Sequence, residues 1–370
     1  MDVAAPPVEK VCGPISGVDR MRGMNFHPVR RILILSTSFL LLSSCAGKIL
    51  QVDKSEEVLK TEEFDAKLDV KEEKIEPPPT EVIKEVPEEK KKDAKSKKKE
   101  KPVAKAAVSS EKGKVKGPRQ PDIEDSEGFD GRRPIKDPFR VGEKVTFDVS
   151  YFNVTAGELN MMVKPFVTVN GKKAYHFEAD GKSTPFFTKI YAIDDRVTTY
   201  LDYEEMRPLS LQISIKESNQ LGETRTFYDW KNLKASYWQK KIIKGKGERN
   251  KKVDWDILAY SQNVVSVAWY LRTFKLEPGK KHAVRVADEG KNIVFTGEVL
   301  RREKLKTPVG VLDTVVVSPR ITADGVFKPI GDILIWFTDD DRKLLVRLES
   351  KIKIGTVVAK LRSIEKGKED

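Results

Sequence analysis

Few residues in this chain are equipped for chemistry. Its 370 residues include two cysteines, Cys12 and Cys45, and three histidines, of which His176 and His282 lie beyond Pro138. Nucleophilic catalysis needs a Ser or Cys beside a base, and neither histidine lies in a recognisable nucleophile motif. The pair also lacks the spacing of a zinc-binding helix, so the sequence offers no metal set and no cofactor motif. Carboxylates remain, dense at Asp194-Asp195, at Asp254 with Asp256, and at Asp339-Asp340-Asp341. A glycosidase needs two such groups facing across a cleft, which makes a carbohydrate-active enzyme the most remote function considered. Simpler roles account for the same residues. Asp339 to Asp341 precede Arg342 in a turn, and Asp254 and Asp256 flank Trp255 where a helix is expected to start. A protein without catalysis is the favoured expectation.

Two other groups suit binding. Lys240, Lys241 and Lys244 crowd a hairpin tip near Gly245 and Gly247, together with Lys246, Arg249, Lys251 and Lys252. They form either a solvated tip or a contact for an anionic partner. Trp238, Trp269 and Tyr270 belong to an aromatic-rich stretch. They pack a core or line a pocket for an acyl chain or glycan.

Cys45 is explained by what precedes it. Arg30 and Arg31 form a basic start, and Ile32 to Leu42 form an apolar run of eleven residues. A helix of that length rises about 16 Å, roughly half the ~30 Å hydrocarbon core, and so suits a secretory leader better than a membrane span. Leu42, Ser43, Ser44 and Cys45 together resemble the lipobox of bacterial lipoproteins. The resemblance implies that residues 1–44 are a removed signal peptide and that Cys45 carries acyl chains into a membrane. Several such chains anchor more firmly than one, at roughly 0.8 kcal/mol per buried methylene. Ala46 in place of Asp implies the outer membrane, with the protein on its periplasmic side. Residues 1–23 fit no compact leader, whereas a start at Met24 gives one of ordinary length, so the N-terminus reads as overextended.

From residue 45 to residue 137 composition predicts a disordered, charged tether. Residues 45–89 hold 7 Lys/Arg against 14 Asp/Glu, and residues 90–119 hold 13 against 3. Too few apolar residues are present to offset the entropy of ordering. The formal net charge of the whole chain is +12, and most of that excess equals the contribution of the basic block. Lys97, Lys98 and Lys99 lie at its centre. They serve as a solvated spacer or as contacts to anionic envelope polymers or lipid headgroups. Nucleic acid is excluded as a partner for an exported lipoprotein whose lysines have no stacking aromatics between them.

Beyond Pro138 the texture becomes alternating. Val145, Phe147, Val149 and Tyr151 share one face of a strand, as do Leu209, Leu211, Ile213 and Ile215, and period two means a half-buried strand. Asn170-Gly171 is a strong hairpin cue. About a dozen strands are predicted, interrupted by one amphipathic helix over residues 256–274. The expected fold is mainly β, a strongly curved antiparallel sheet or barrel-like domain over 138–370. The opening PFRVGEKVTFDVSYFNVTAGEL, from Pro138 to Leu159, resembles a bacterial exported family known as domain of unknown function 3108. So do Asp256 to Lys280, Thr307 to Pro319 and Ile335 to Leu361. The resemblance implies a secreted β-rich domain and brings no activity.

The sequence therefore supports a non-catalytic binding domain on an outer-membrane lipoprotein, taking an apolar or glycan ligand or an envelope partner. The alternative is a structural protein gripping anionic envelope polymers through its basic tether.

Overall fold

Strand alternation and tight turns commit most of the chain to one antiparallel sheet. The computed structural model describes residues 48–53, 55–73, 124, 127–323, 326–328, 332–351 and 355–368, all within the unit Ser43–Asp370. Two short helices come first, α1 (Ser55–Leu59) and α2 (Glu62–Asp65), then the short strands β1 (Val70–Glu72), β2 (Phe129–Asp130) and β3 (Arg133–Pro134). The long strands begin with β4 (Glu143–Tyr151), β5 (Val154–Val169), β6 (Lys172–Ser183) and β7 (Asp194–Asp202), with α3 (Pro185–Thr188) before β7. They continue as β8 (Pro208–Lys216), β9 (Gln220–Asp229), β10 (Lys234–Ile243) and β11 (Gly247–Asp256). Helix α4 (Ser266–Tyr270) and a 3-10 turn (Leu271–Thr273) then precede β12 (Lys281–Asp288), β13 (Lys291–Thr307) and β14 (Gly310–Ala323). The last are β15 (Val326–Lys328), β16 (Asp332–Thr338), β17 (Leu345–Lys351) and β18 (Thr356–Lys366).

The strands lie in the order β11-β10-β9-β8-β7-β6-β5-β4-β18-β17-β16-β14-β13-β12, with β1 added to β5 and β15 to β14. The Asn170-Gly171 turn forms as expected, both residues at positive φ (49° and 78°), the twist that suits a two-residue hairpin. Edges β11 and β12 do not pair as strands, so the sheet is not a closed ladder. Side chains bridge the seam instead. The Tyr228 hydroxyl donates to the Ala287 carbonyl at 3.0 Å and that of Tyr237 to Glu289 at 2.8 Å. The result is the expected curved, barrel-like sheet.

Register fixes what each face meets, because residues opposite one another across a ladder share a face. Phe177, Thr199, Leu211, Thr226 and Tyr237 form one row. This row faces inward: Trp269 stacks on Phe177 at 5.0 Å, and Asn263 Nδ2 donates to Thr199 Oγ1 at 2.8 Å. The neighbouring row of Glu178, Thr198, Gln212, Arg225 and Trp238 faces outward.

The expected amphipathic helix over 256–274 is a correction. Asp256 ends strand β11, and only α4 and the short 3-10 turn are helical. The segment is buried on every side, from Val264 through Val267 and from Trp269 to Phe274. It plugs the concave side of the sheet, so it has no solvent face to be amphipathic about. Asn263 starts the turn by accepting from the Val265 and Ser266 amides at 2.9 and 2.6 Å. Gln262 pairs with the β12 edge through the Arg285 carbonyl and the Ala287 amide. Arg272 closes the arrangement with a bidentate pair to buried Glu143 at 2.7 and 2.9 Å, and Arg342 shares the same carboxylate at 2.6 Å.

The tether also needs correction where it is described. Residues 48–53 and 55–73 run as a strap up the outward face of β5 to β10. Leu50 N–H donates to the Glu217 carbonyl at 2.9 Å. Phe64, 2 % exposed, meets Trp238 edge-on at 6.0 Å. The segment ends with β1 paired to Val167–Val169 of β5. The Asn170 side chain fastens it there, accepting from the Asp69 amide and donating to the Lys67 carbonyl. A second piece, 127–137, docks at the opposite rim, where Arg132 donates to the Glu205 carbonyl at 2.6 Å and the Arg133 guanidinium lies 3.7 Å over Tyr203. Few but well-spaced apolar and paired residues suffice because the sheet supplies the rest of the contact surface. The basic block 90–119, with Lys97, Lys98 and Lys99, lies outside the described residues, as do Leu42 to Cys45. Phe64→Ala is expected to cost about 3 kcal/mol. Hydrogen exchange should then show lost protection over residues 55–72, with strands β6 to β9 still protected.

Candidate functional site

The aromatics and lysines expected to bind are drawn into three separate places. Trp238 stands on the outward face of β10 beneath the strap, where its indole N–H donates to Glu63 Oε2 at 2.8 Å. Lys252, beside it on β11, pairs with the same oxygen at 2.6 Å. These two donors, Lys252 first, hold the Glu63 carboxyl below its ordinary range. Lys240 donates to the Lys60 carbonyl, so it grips the strap rather than an outside partner. Lys241 is half-buried next to it, its stem near Gly222. Lys244 lies at the exposed turn, its amide donating to the Asn219 carbonyl at 2.9 Å.

Trp269 and Tyr270 occupy the other face. The Trp269 ring stacks on Phe177, and Tyr270 meets Phe274 edge-on at 5.3 Å. Both are within the packed interior at 2 % and 0 % exposure. The expected common pocket of Trp238, Trp269 and Tyr270 is not formed, because the sheet stands between the first ring and the other two. A depression of about 500 Å³ does exist elsewhere, over β12 to β14, lined by Lys281, Thr296, Glu298, Arg320 and Thr322. Its charges serve one another: Glu298 pairs with Arg320 at 3.2 Å and Lys281 at 3.5 Å.

Most acidic spots resolve into turns and ion pairs. Asp340 accepts from the Arg342 and Lys343 amides at 3.0 and 2.9 Å, the turn role expected of it. Asp339 pairs with Arg302 and Asp341 with Lys136. Asp256 pairs with Lys234 at 3.1 Å and caps no helix. His282 is buried against Phe274, its Nε2 3.2 Å from the Lys275 carbonyl. His176 lies by Tyr200, and burial, with Lys164 nearby, pushes its imidazole down to about 4. Among the described residues no group of three His, Cys, Asp or Glu could hold a metal ion.

Asp195 is the exception. It accepts from the Lys216 amide at 3.0 Å and sits close to Glu217. Burial first, then the charge of Glu217, pushes its carboxyl up to about 8. The Tyr191 hydroxyl donates to Glu217 at 2.6 Å, and Gln220 donates to the same oxygen at 2.6 Å. The pair Asp194-Asp195 is visible in sequence. Its partner Glu217 lies across an isolated bridge between Ile193 and Glu217, a contact no local spacing announces.

These features sit on a recognisable scaffold. A model for proteins of unknown function, DUF3108, matches residues 146–362, from inside β4 to inside β18. The chain belongs to the DUF3108 family. Strap and rim-docked piece, residues 48–73 and 127–137, precede the matched DUF3108 region. No curated protein matches the chain. Solved structures similar to it include a beta-barrel-like protein of family DUF1849 from Brucella abortus, at 12 % identity and a TM-score of 0.41, covering 62 % of this chain and 99 % of that one. Another is described as a "putative lipoprotein" from Parabacteroides distasonis, at 12 % identity and a TM-score of 0.26, covering 61 % and 95 %. A third is described as a "putative exported protein" with YmcC-like fold from Bacteroides fragilis, at 10 % identity and a TM-score of 0.29, covering 62 % and 98 %. No helix among the described residues is long and apolar enough to cross a membrane.

An unfolded Asp ionises near 3.8, so Asp195 stabilises the fold fully below that pH and loses its contribution as pH rises towards about 8. Asp195→Asn, which removes the charge, is expected to be on the order of 2 kcal/mol more stable than the parent at pH 9. Thermal unfolding across pH 4 to 9 measures both curves, which should converge at the acid end.

Proposed function

We propose that this DUF3108 protein is a lipoprotein of the cell envelope, held by acyl chains on Cys45 in the outer membrane and facing the periplasm. Its barrel-like domain is a non-catalytic body that binds an envelope partner. The observation that carries this reading is the strap. It is bound to the domain from Leu50 onward, five residues after Cys45. An anchor at that sulfur therefore acts directly on the folded domain. Two further observations support the non-catalytic part. The concave side is filled by Trp269, Tyr270 and their neighbours, which leaves the outward faces and rims for binding. Of the acidic spots, Asp194, Asp256, Asp339, Asp340 and Asp341 are engaged in turns and surface ion pairs.

A second reading has its own support. Glu73 is bound to the domain through the Phe166 carbonyl at 3.4 Å, and Glu127 is bound to it through Lys275 and Lys280 at 2.8 and 2.6 Å. Lys97, Lys98 and Lys99 lie between two attachment points, in a segment suited to gripping anionic envelope polymers. Polybasic segments gain about 1 kcal/mol per lysine near an anionic surface.

Intact-mass analysis of membrane-extracted protein should give a chain starting at Cys45 with added acyl mass. Cys45→Ala should move the protein out of the washed membrane fraction. Retention of the Cys45→Ala protein after salt and carbonate washing would count against the anchor. For the basic segment, replacing Lys97, Lys98 and Lys99 with Gln should weaken co-sedimentation with isolated cell-wall polymer on the order of a hundredfold at low salt. Binding unchanged by both the substitutions and added salt would remove the second reading.

A further inference from the structure

Among the described residues, one rim of the sheet carries the turns joining β4 to β5, β6 to β7, β8 to β9 and β10 to β11. Backbone hydrogen bonds link them in series. Thr184 donates to the Ala156 carbonyl at 3.0 Å, Ser218 to that of Ala192 at 3.0 Å, and Lys244 to that of Asn219 at 2.9 Å. Phe152 joins the row from the β4–β5 turn, packed on Tyr151 at 4.4 Å and against Gly355. This rim leaves large apolar side chains in solvent: Phe152 is 63 % exposed, Val154 50 %, Phe186 65 % and Ile190 46 %. Lys189, next to Ile190 in the chain, and Lys244 and Lys246, in the β10–β11 turn, are exposed on the same rim. An apolar patch with a polar border marks an interaction surface, and lysines beside it favour an anionic partner with an apolar interior.

The occupant follows from where the strap begins. Leu50 is bound to Glu217, in the β8–β9 turn of this same rim. Five residues fully extended reach at most about 18 Å, so Cys45 stays close to the rim whatever path the intervening residues take. We propose that this rim seats on the anionic lipid leaflet that holds the acyl chains of Cys45, with Phe152, Val154, Phe186 and Ile190 entering the headgroup boundary and Lys189, Lys244 and Lys246 meeting phosphate. The inference rests on the lipidation of Cys45 put forward above. It adds a fixed orientation: the rim carrying the Asn170-Gly171 turn and the docked 127–137 piece points away from the membrane.

The test uses the full chain in a Cys12→Ser background, reconstituted in vesicles of phosphatidylethanolamine and phosphatidylglycerol. An environment-sensitive label is attached at Phe186→Cys, at Val154→Cys, or at Val309→Cys, an exposed site in the β13–β14 turn outside this rim. Labels at the first two sites should be quenched by lipid-borne nitroxides, at a depth of about 5–10 Å into the headgroup and acyl boundary, and the Val309→Cys label should stay in water. Equal exposure at all three sites, in a sample whose mass shows acylated Cys45, overturns the inference and leaves the anchor standing. A sample without acyl mass overturns the anchor, and vesicle sedimentation then decides the rim. There, Lys244→Gln with Lys246→Gln should weaken binding to phosphatidylglycerol on the order of thirtyfold, and Phe186→Asp should weaken it further. Unchanged binding overturns the rim.

Discussion

A sheet this strongly curved has a concave side that must be filled, and the chain fills it with its own residues between β11 and β12. Everything else is arranged around that plug. Its buried amides and Ser266 bond inside the sheet: Asn263 reaches Thr199, Gln262 the Met206 carbonyl and Ser266 the Gln262 side chain. Its one buried cation, Arg272, meets Glu143 at the start of β4, and Arg342 beside β17 completes the group. Buried ions are costly unless paired and fully hydrogen-bonded. Here the Pro138 carbonyl also accepts from both guanidinium groups. The arrangement ties the middle of the sequence to the junction where β4 lies beside β18, so interior filling and sheet continuity are one constraint.

The sheet itself was legible, since period-two alternation in β4 and β8 and the Asn170-Gly171 turn carry their own signal. What escaped is tertiary in origin. Strand β11 reads GERNKKVDWD and is almost wholly exposed. Its lysines suit a charged edge that resists further pairing, and they hide a strand from any hydrophobic pattern. The plug shows the apolar spacing of a helix because it is enclosed, yet only one turn of α-helix forms. The strap escaped because Phe64, Leu68 and Val70 are too sparse to suggest folding alone. They become a packed surface only against Val167, Ala174, Leu209 and Trp238.

The site residues divide along the same line. Lysines at a hairpin tip are easy to see in sequence, but their assignment to strap or solvent depends on which side of β10 each falls. Lys240 holds the strap, and Lys244 stands at the rim. The aromatics read as one group because they are close in sequence, and the sheet separates them. Within the DUF3108 family region lies the curved sheet with its plug. The strap and the piece docked at the rim come from residues before that region.

The order of strands carries one more consequence. Strands β4 to β11 form one run and β12 to β18 another, and the two are joined through the contact of β4 with β18. The earliest long strand thus waits for the last. A chain that folds from its N-terminus can assemble its first run of hairpins early, yet the Arg342 contact to Glu143 and the pairing of β4 with β18 form only when nearly the whole polypeptide is available. Such long-range pairing slows folding. It also makes the final few dozen residues the step that commits the molecule to its native state.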